Sequence, residues 1–142
     1  MNKYEQTMFD TAMLWAGLSS CNKRKVGAII AKDNRIISVG YNGTIPSDLT
    51  TNTKFTNNEC EDENGSTKEH VSHAEFNAIM FLVREGISLK GTSLFMTTKP
   101  CVTCANLVIH SGIKKVFYRN DDKSGEGVTL LSEVGIELIA VD

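Results

Sequence analysis

His73 and Glu75 stand two residues apart, and Cys101 and Cys104 stand three apart directly after Pro100. A catalytic zinc takes three protein ligands from nitrogen and sulfur donors and keeps its fourth tetrahedral position open for water. His73, Cys101 and Cys104 supply that number and those donor types. Glu75, two positions beyond the histidine, can stand beside the metal without ligating it. Zinc lowers the pKa of a bound water from about 15.7 to about 7. A carboxylate that accepts the released proton and returns it to a ring nitrogen and a departing amine then completes a hydrolytic site. A lone C-x-x-C is often a redox pair or half of a structural zinc site, and a lone helical histidine is usually structural. The combination is more specific, because each cluster opens a helical pattern. Two helix amino termini then point at one metal, and their positive dipole ends favour thiolate over thiol.

The elements that must hold these residues follow from periodicity. From Asn2 to Ser20, the residues Tyr4, Met8, Thr11, Ala12, Trp15 and Leu18 recur at helical spacing and predict an amphipathic first helix. The apolar run Val26 to Ala31, a turn at Asp33-Asn34 and the segment Arg35 to Tyr41 predict a hairpin. From residue 42 to 69 the chain loses periodicity and fills with Thr, Asn, Ser, Gly and acidic residues, which predicts a long loop over 44–69. A second helix follows from Ala74 to Arg84, with Phe76, Ile79, Met80 and Val83 inward. Then come a strand at Ser93–Thr97, a helix at Cys101–Ser111, a strand at Lys115–Tyr118, a short helix near Val128–Glu133 and a last strand at Ile136–Val141. Helix and strand alternate in this second half, so its strands should pair in parallel with helices on the faces. The expected fold is α/β, a three-layer α/β/α sandwich around a five-stranded mixed sheet.

Length and composition set the class. At 142 residues the chain reads as a single domain. Fifteen basic against 17 acidic residues leave a formal charge of −2, which argues against binding nucleic acid through phosphate neutralisation. No apolar run reaches the length of a membrane span, and the first residues lack the order of a signal peptide. A cytoplasmic location is expected, where the four cysteines serve as metal ligands rather than disulfides.

The H-x-E and P-C-x-x-C pair is the signature of zinc-dependent nucleobase deaminases. With its elements in place, the chain resembles enzymes of the cytidine deaminase fold, and among them most closely the deoxycytidylate (dCMP) deaminases. The resemblance rests on Val26 to Ile30, Gly40-Tyr41-Asn42-Gly43, His73 to Ile79, and Pro100 to Ala105 running on to Ser111–Val116. It implies hydrolysis of dCMP to dUMP and ammonia, supplying thymidylate synthesis, with His73, Cys101 and Cys104 on zinc and Glu75 moving protons. It further implies that Asn42 contacts the sugar and that the backbone around Ala74 reads the pyrimidine edge. Arg24 and Lys25, in the basic cluster Lys23-Arg24-Lys25, are the candidates for the substrate phosphate. Relatives are commonly homohexamers, activated by dCTP with magnesium and inhibited by dTTP, with the effector near the residues here numbered Gly40, Tyr41, Asn42 and Gly43. The chain departs from relatives in Thr44 to Leu49, which lacks glycines often found after the proline, and in Asn120 to Lys123, where relatives often have a tyrosine.

Some phage enzymes of this kind also hold a structural zinc. Cys21 and Cys60 stand in the corresponding places, with His70 as a third ligand, and such a metal would pin the polar loop. The short chain and these cysteines suit a phage or bacterial origin, and for a phage protein the host cytoplasm. Two other functions fit the zinc signature less well. A tRNA adenosine deaminase needs a basic RNA-binding surface, which the acidic composition does not offer. A non-catalytic zinc-binding or nucleotide-sensing module would close its metal with four ligands and has no use for Glu75.

Overall fold

The computed structural model describes every residue from Met1 to Asp142. The chain runs α1 (Lys3–Ala16), β1 (Gly27–Lys32), β2 (Arg35–Tyr41), α2 (Ala74–Arg84), β3 (Ser93–Met96), α3 (Val102–Ser111), β4 (Lys115–Arg119), α4 (Glu126–Glu133) and β5 (Glu137–Val141). The strands form one sheet in the order β2-β1-β3-β4-β5. β1 pairs antiparallel with both β2 and β3, whereas β3, β4 and β5 are parallel, giving the expected five-stranded mixed sheet.

Strand alternation sorts the core into two layers. Ala28, Ile30, Leu94, Met96 and Val116 face the side covered by α2, α3 and α4. Ile29, Ala31, Phe95 and Phe117 face the other side, where Met8, Phe9 and Ala12 of α1 pack on them. The Phe95 and Phe117 rings stack with centroids 4.4 Å apart. β1 is buried at five of its six positions because helices cover both faces.

The first two helices lie in a different phase from the one expected. α1 begins with a capping box in which Asn2 and Glu5 exchange side-chain and backbone hydrogen bonds, and it ends at Ala16 rather than Ser20. Gly17 closes it, so Leu18 lies outside the helix and is 57% exposed, and Tyr4 is 47% exposed. The buried stripe is Met8, Phe9, Ala12 and Ala16. In α2 the inward residues are Ala74, Glu75, Ala78, Ile79 and Leu82, while Phe76 and Val83 are exposed. The reason is close packing. A side chain at Gly40 of β2 would collide with the Ala74 carbonyl and the Ala78 amide, so the α2 backbone lies directly on the strand and only its small-residue face fits there. Gly40 therefore makes room for a helix.

From residue 42 to 73 the chain forms neither helix nor strand, as expected of a long loop. Its ends are clasped by paired hydrogen bonds between Gly43 and Ser72. Within it, Asp62 Oδ1 accepts from the amides of Asn64 and Ser66, and Glu61 bridges to Thr67.

Candidate active site

His73 is the N-cap residue of α2 and Cys101 the N-cap residue of α3, so both helices present their amino termini to one point. Cys104 lies in the first turn of α3. His73 Nδ1 is 3.3 Å from Cys104 Sγ and 3.6 Å from Cys101 Sγ, and all three ligand atoms lie within 4.8 Å of one another. Bond lengths of about 2.1 Å to nitrogen and 2.3 Å to sulfur at a tetrahedral angle put such donors about 3.6 Å apart, so the three residues fit a zinc ion. Gly127 of α4 secures the cysteine side of the site. A side chain there would collide with the Pro100 carbonyl and the Cys101 backbone, so α4 backs directly onto the ligand-bearing turn.

Electrostatics also call for a cation. Glu75 is buried, at 2% exposure, beside the three ligands. Burial pushes its carboxyl above the ordinary range, against the opposing pull of its own backbone amide and the charges of His73 and Lys123. Burial likewise drives the Cys104 thiol far up, reinforced by the neighbouring Glu75 and Cys101. A divalent ion reverses that balance by deprotonating a coordinating thiol outright.

The pocket around the triad is lined by His73, Ala74 and Glu75 together with Asn42, Arg24 and Val26, and its wall includes Glu61, Thr98 and Lys123. Asn42 and Ala74 thus both line this pocket. The Asn42 side chain also holds the entry to β1, its Oδ1 accepting from the Val26 amide and its Nδ2 donating to the Arg24 carbonyl. Arg24 is on the wall but already engaged, donating to Asp121 Oδ2 at 3.0 Å and Thr98 Oγ1 at 3.3 Å. Lys25 is absent from this lining, and its ammonium donates to the Ser19 carbonyl. Of the two residues expected at the phosphate, the structure brings only Arg24 to the pocket.

Gly40, Tyr41 and Gly43 line a different and wider groove of about 880 Å³, with Thr44 to Leu49 along one side and Phe76, Met80 and Arg84 of α2 along the other. Asn42 alone of the Gly40–Gly43 turn faces the triad pocket.

Cys21 and Cys60 meet as expected, here as a disulfide with Cα atoms 5.1 Å apart. His70 is the residue expected as their third ligand. Its ring packs edge-on against Phe55, its Nε2 is buried without a hydrogen-bond partner, and it borders the wider groove. The structure thus gathers Cys101 and Cys104 with His73 in a metal-binding arrangement and pairs Cys21 with Cys60. The disulfide borders the triad pocket and ties its rim to the long loop.

Sequence reasoning passed over Glu61, Thr98 and Lys123. Glu61 Oε1 accepts from the amides of Asn22 and Lys23, while its Oε2 is buried and unpartnered. Its position directly after Cys60 was the one available signal. Thr98 and Lys123 sit in polar turns that resemble any surface segment.

Residues 2–120 match the family described as cytidine and deoxycytidylate deaminase zinc-binding region. The deoxycytidylate deaminase of Enterobacteria phage T2 is 35% identical over 170 aligned positions, spanning 95% of this chain and 90% of that protein. The deoxycytidylate deaminase of Enterobacteria phage T4 is also 35% identical, over 95% of this chain and 88% of its own length. Among solved structures, the dCMP deaminase of cyanophage S-TIM5 in complex with dCMP and dUMP matches with a TM-score of 0.88 at 35% identity, covering 99% of both chains. With the zinc ligands and the buried carboxylate assembled at the ends of α2 and α3, the chain belongs to the cytidine and deoxycytidylate deaminase family.

Proposed function

We propose that this protein hydrolytically deaminates dCMP to dUMP and ammonia and so supplies dUMP for thymidylate synthesis. The observation that carries this reading is the buried Glu75 placed beside a three-ligand metal site at the floor of a pocket whose wall is cationic. The match to a structure in complex with dCMP and dUMP supports it. His73, Cys101 and Cys104 would hold zinc, which would supply an activated water at neutral pH. Glu75 accepts the proton of that water and returns protons to the ring nitrogen and the leaving amine, acting as base and then as acid. Its buried position keeps bulk water from competing for the proton. Asn42 meets the sugar, and the main chain around Ala74 reads the pyrimidine edge.

The wider groove is the place for regulation. Gly40, Tyr41 and Gly43 border it, and a nucleotide effector, dCTP with magnesium as activator or dTTP as inhibitor, binds there in this reading. The enzyme works in the cytoplasm, that of the host if a phage encodes it, as a homohexamer. No helix is long and apolar enough to cross a membrane.

The test is loss of cytosine absorbance with dCMP, dCTP, deoxycytidine and cytidine in turn, each with and without added dCTP and magnesium or dTTP. Selective turnover of dCMP is expected. Zinc-loaded protein that is silent on every pyrimidine overturns the reading, and unchanged rates on adding effectors remove the regulatory part alone.

A further inference from the structure

The cations around the triad pocket are not equivalent. Arg24 is compensated in advance, with Asp121 Oδ2 at 3.0 Å and Asp122 Oδ1 at 3.8 Å from its guanidinium. Lys25 has turned its ammonium to the Ser19 carbonyl. Lys23 also lines the pocket and forms no ion pair, but it is exposed. Lys123 differs from Arg24 and Lys25 in having no partner, and from Lys23 in its burial. It lies on the pocket wall with His73 and Glu75, is only partly exposed, and has no carboxylate within ion-pair distance.

The backbone beneath it is fixed. Asp121 Oδ1 accepts from the Lys123 amide at 3.2 Å, while Oδ2 of the same carboxylate accepts from Arg24 and from the Thr98 hydroxyl. One carboxylate thus ties the 120–125 turn to the segment before β1 and to the turn after β3. The side chain of Lys123 is left without a partner. An uncompensated ammonium on a pocket wall is an anion site, because a phosphate there gains a charge-assisted bond. The carboxylates on the same lining, Glu61 and Glu75, repel a phosphate, so the nucleotide can enter in one sense only, with its base at the metal and its phosphate at a free cation.

We propose that Lys123 is the residue that binds the 5′-phosphate of the nucleoside monophosphate and sets the preference for nucleotide over nucleoside, with Arg24 and Asp121 as its support. This rests on the nucleotide deaminase reading and names the contact that defines the substrate class.

The experiment compares zinc-loaded wild-type enzyme with Lys123→Met and Lys123→Arg on dCMP and on deoxycytidine. In wild type, kcat/KM for dCMP exceeds that for deoxycytidine. Lys123→Met is expected to cut the dCMP value by about 30-fold, mostly through KM, and to change the deoxycytidine value by less than about threefold, the size of one charge-assisted contact. Lys123→Arg restores most of the preference. If Lys123→Met lowers both substrates equally, the lysine acts on Glu75 or on folding and the proposal fails. If neither substrate changes, it fails as well. Wild-type enzyme inactive on dCMP overturns the nucleotide reading itself, whereas active wild type with an unaltered preference in Lys123→Met overturns only this assignment.

Discussion

At the scale of single residues, the site combines a proton carrier with charges that hold it. Glu75 is desolvated and bordered by Cys104, so its value lies in being an ionisable group that water does not reach. Glu75→Gln keeps the shape and removes the proton transfer. It is expected to retain one zinc per His73-Cys101-Cys104 site while kcat falls roughly 1,000-fold, within the range for general acid and base groups. Metal analysis alongside steady-state kinetics checks both halves. Asp121 is a positioning residue. Burial alone would raise its carboxyl, but the Thr98 hydroxyl, the Lys123 and Lys99 amides and the Arg24 charge outweigh it, and the net direction is down. A carboxyl lowered in the folded state stabilises above its unfolded value and loses that contribution as pH falls through the folded one. The stability gap between wild type and Asp121→Asn should therefore be full at neutral pH and close as pH drops below the ordinary 3.8. Urea titrations at several pH values measure it, and a gap that widens on acidification contradicts the assignment.

At the scale of elements, two glycines decide whether the ligands converge. Gly40 lets α2 lie on β2, which sets the height of His73 and Glu75, and Gly127 lets α4 back onto the Pro100-Cys101 turn. Gly40→Ala must push the Ala74 carbonyl away and should destabilise by about 1–3 kcal/mol, as overpacking does. It should also weaken zinc retention, because the displaced residue is the neighbour of a ligand. Chelator competition compared with Tm tells the two effects apart, and a Gly40→Ala protein with unchanged zinc retention would argue against this role. Much at this scale was legible in the sequence. The branched run Val26 to Ala31, the Asp33-Asn34 turn and the helix-strand alternation after His73 produced the hairpin and the parallel strands. The helix faces were legible only in part, since Met8, Ala12 and Ile79 were read on them and are buried. Large apolar side chains such as Tyr4, Leu18, Phe76 and Val83 fit a helical period, yet the real stripes run through Ala12, Ala16, Ala74 and Ala78. Close backbone approach favours small residues, and a hydrophobic periodicity weights them least.

At the scale of the whole molecule, the triad was legible because a metal demands fixed donor types at short spacings. The support was not, because Arg24 and Asp121 are 97 residues apart and nothing local joins the two. Cys21 and Cys60 show the same limit, since their meeting was expected but the bond between them depends on sulfurs that only the folded loop brings together. That bond closes 39 residues of chain, a segment holding the hairpin and most of the long loop. The loop has few buried apolar residues of its own, and its ends are held chiefly by the Gly43 and Ser72 pair. Loop closure of this length is worth about 4 kcal/mol by chain entropy, or roughly 10 °C in Tm for a chain of this size. Dithiothreitol, or Cys60→Ser, is therefore expected to lower Tm by that order and to raise KM for dCMP, because Cys21, Cys60 and Glu61 all border the pocket. Zinc at His73, Cys101 and Cys104 should persist, since those ligands lie on α2 and α3 and not on the loop. Reduced protein with unaltered Tm and KM would show that the loop is held by its hydrogen bonds alone, and loss of the zinc on reduction would show that the loop, rather than the two helix ends, keeps the metal in place.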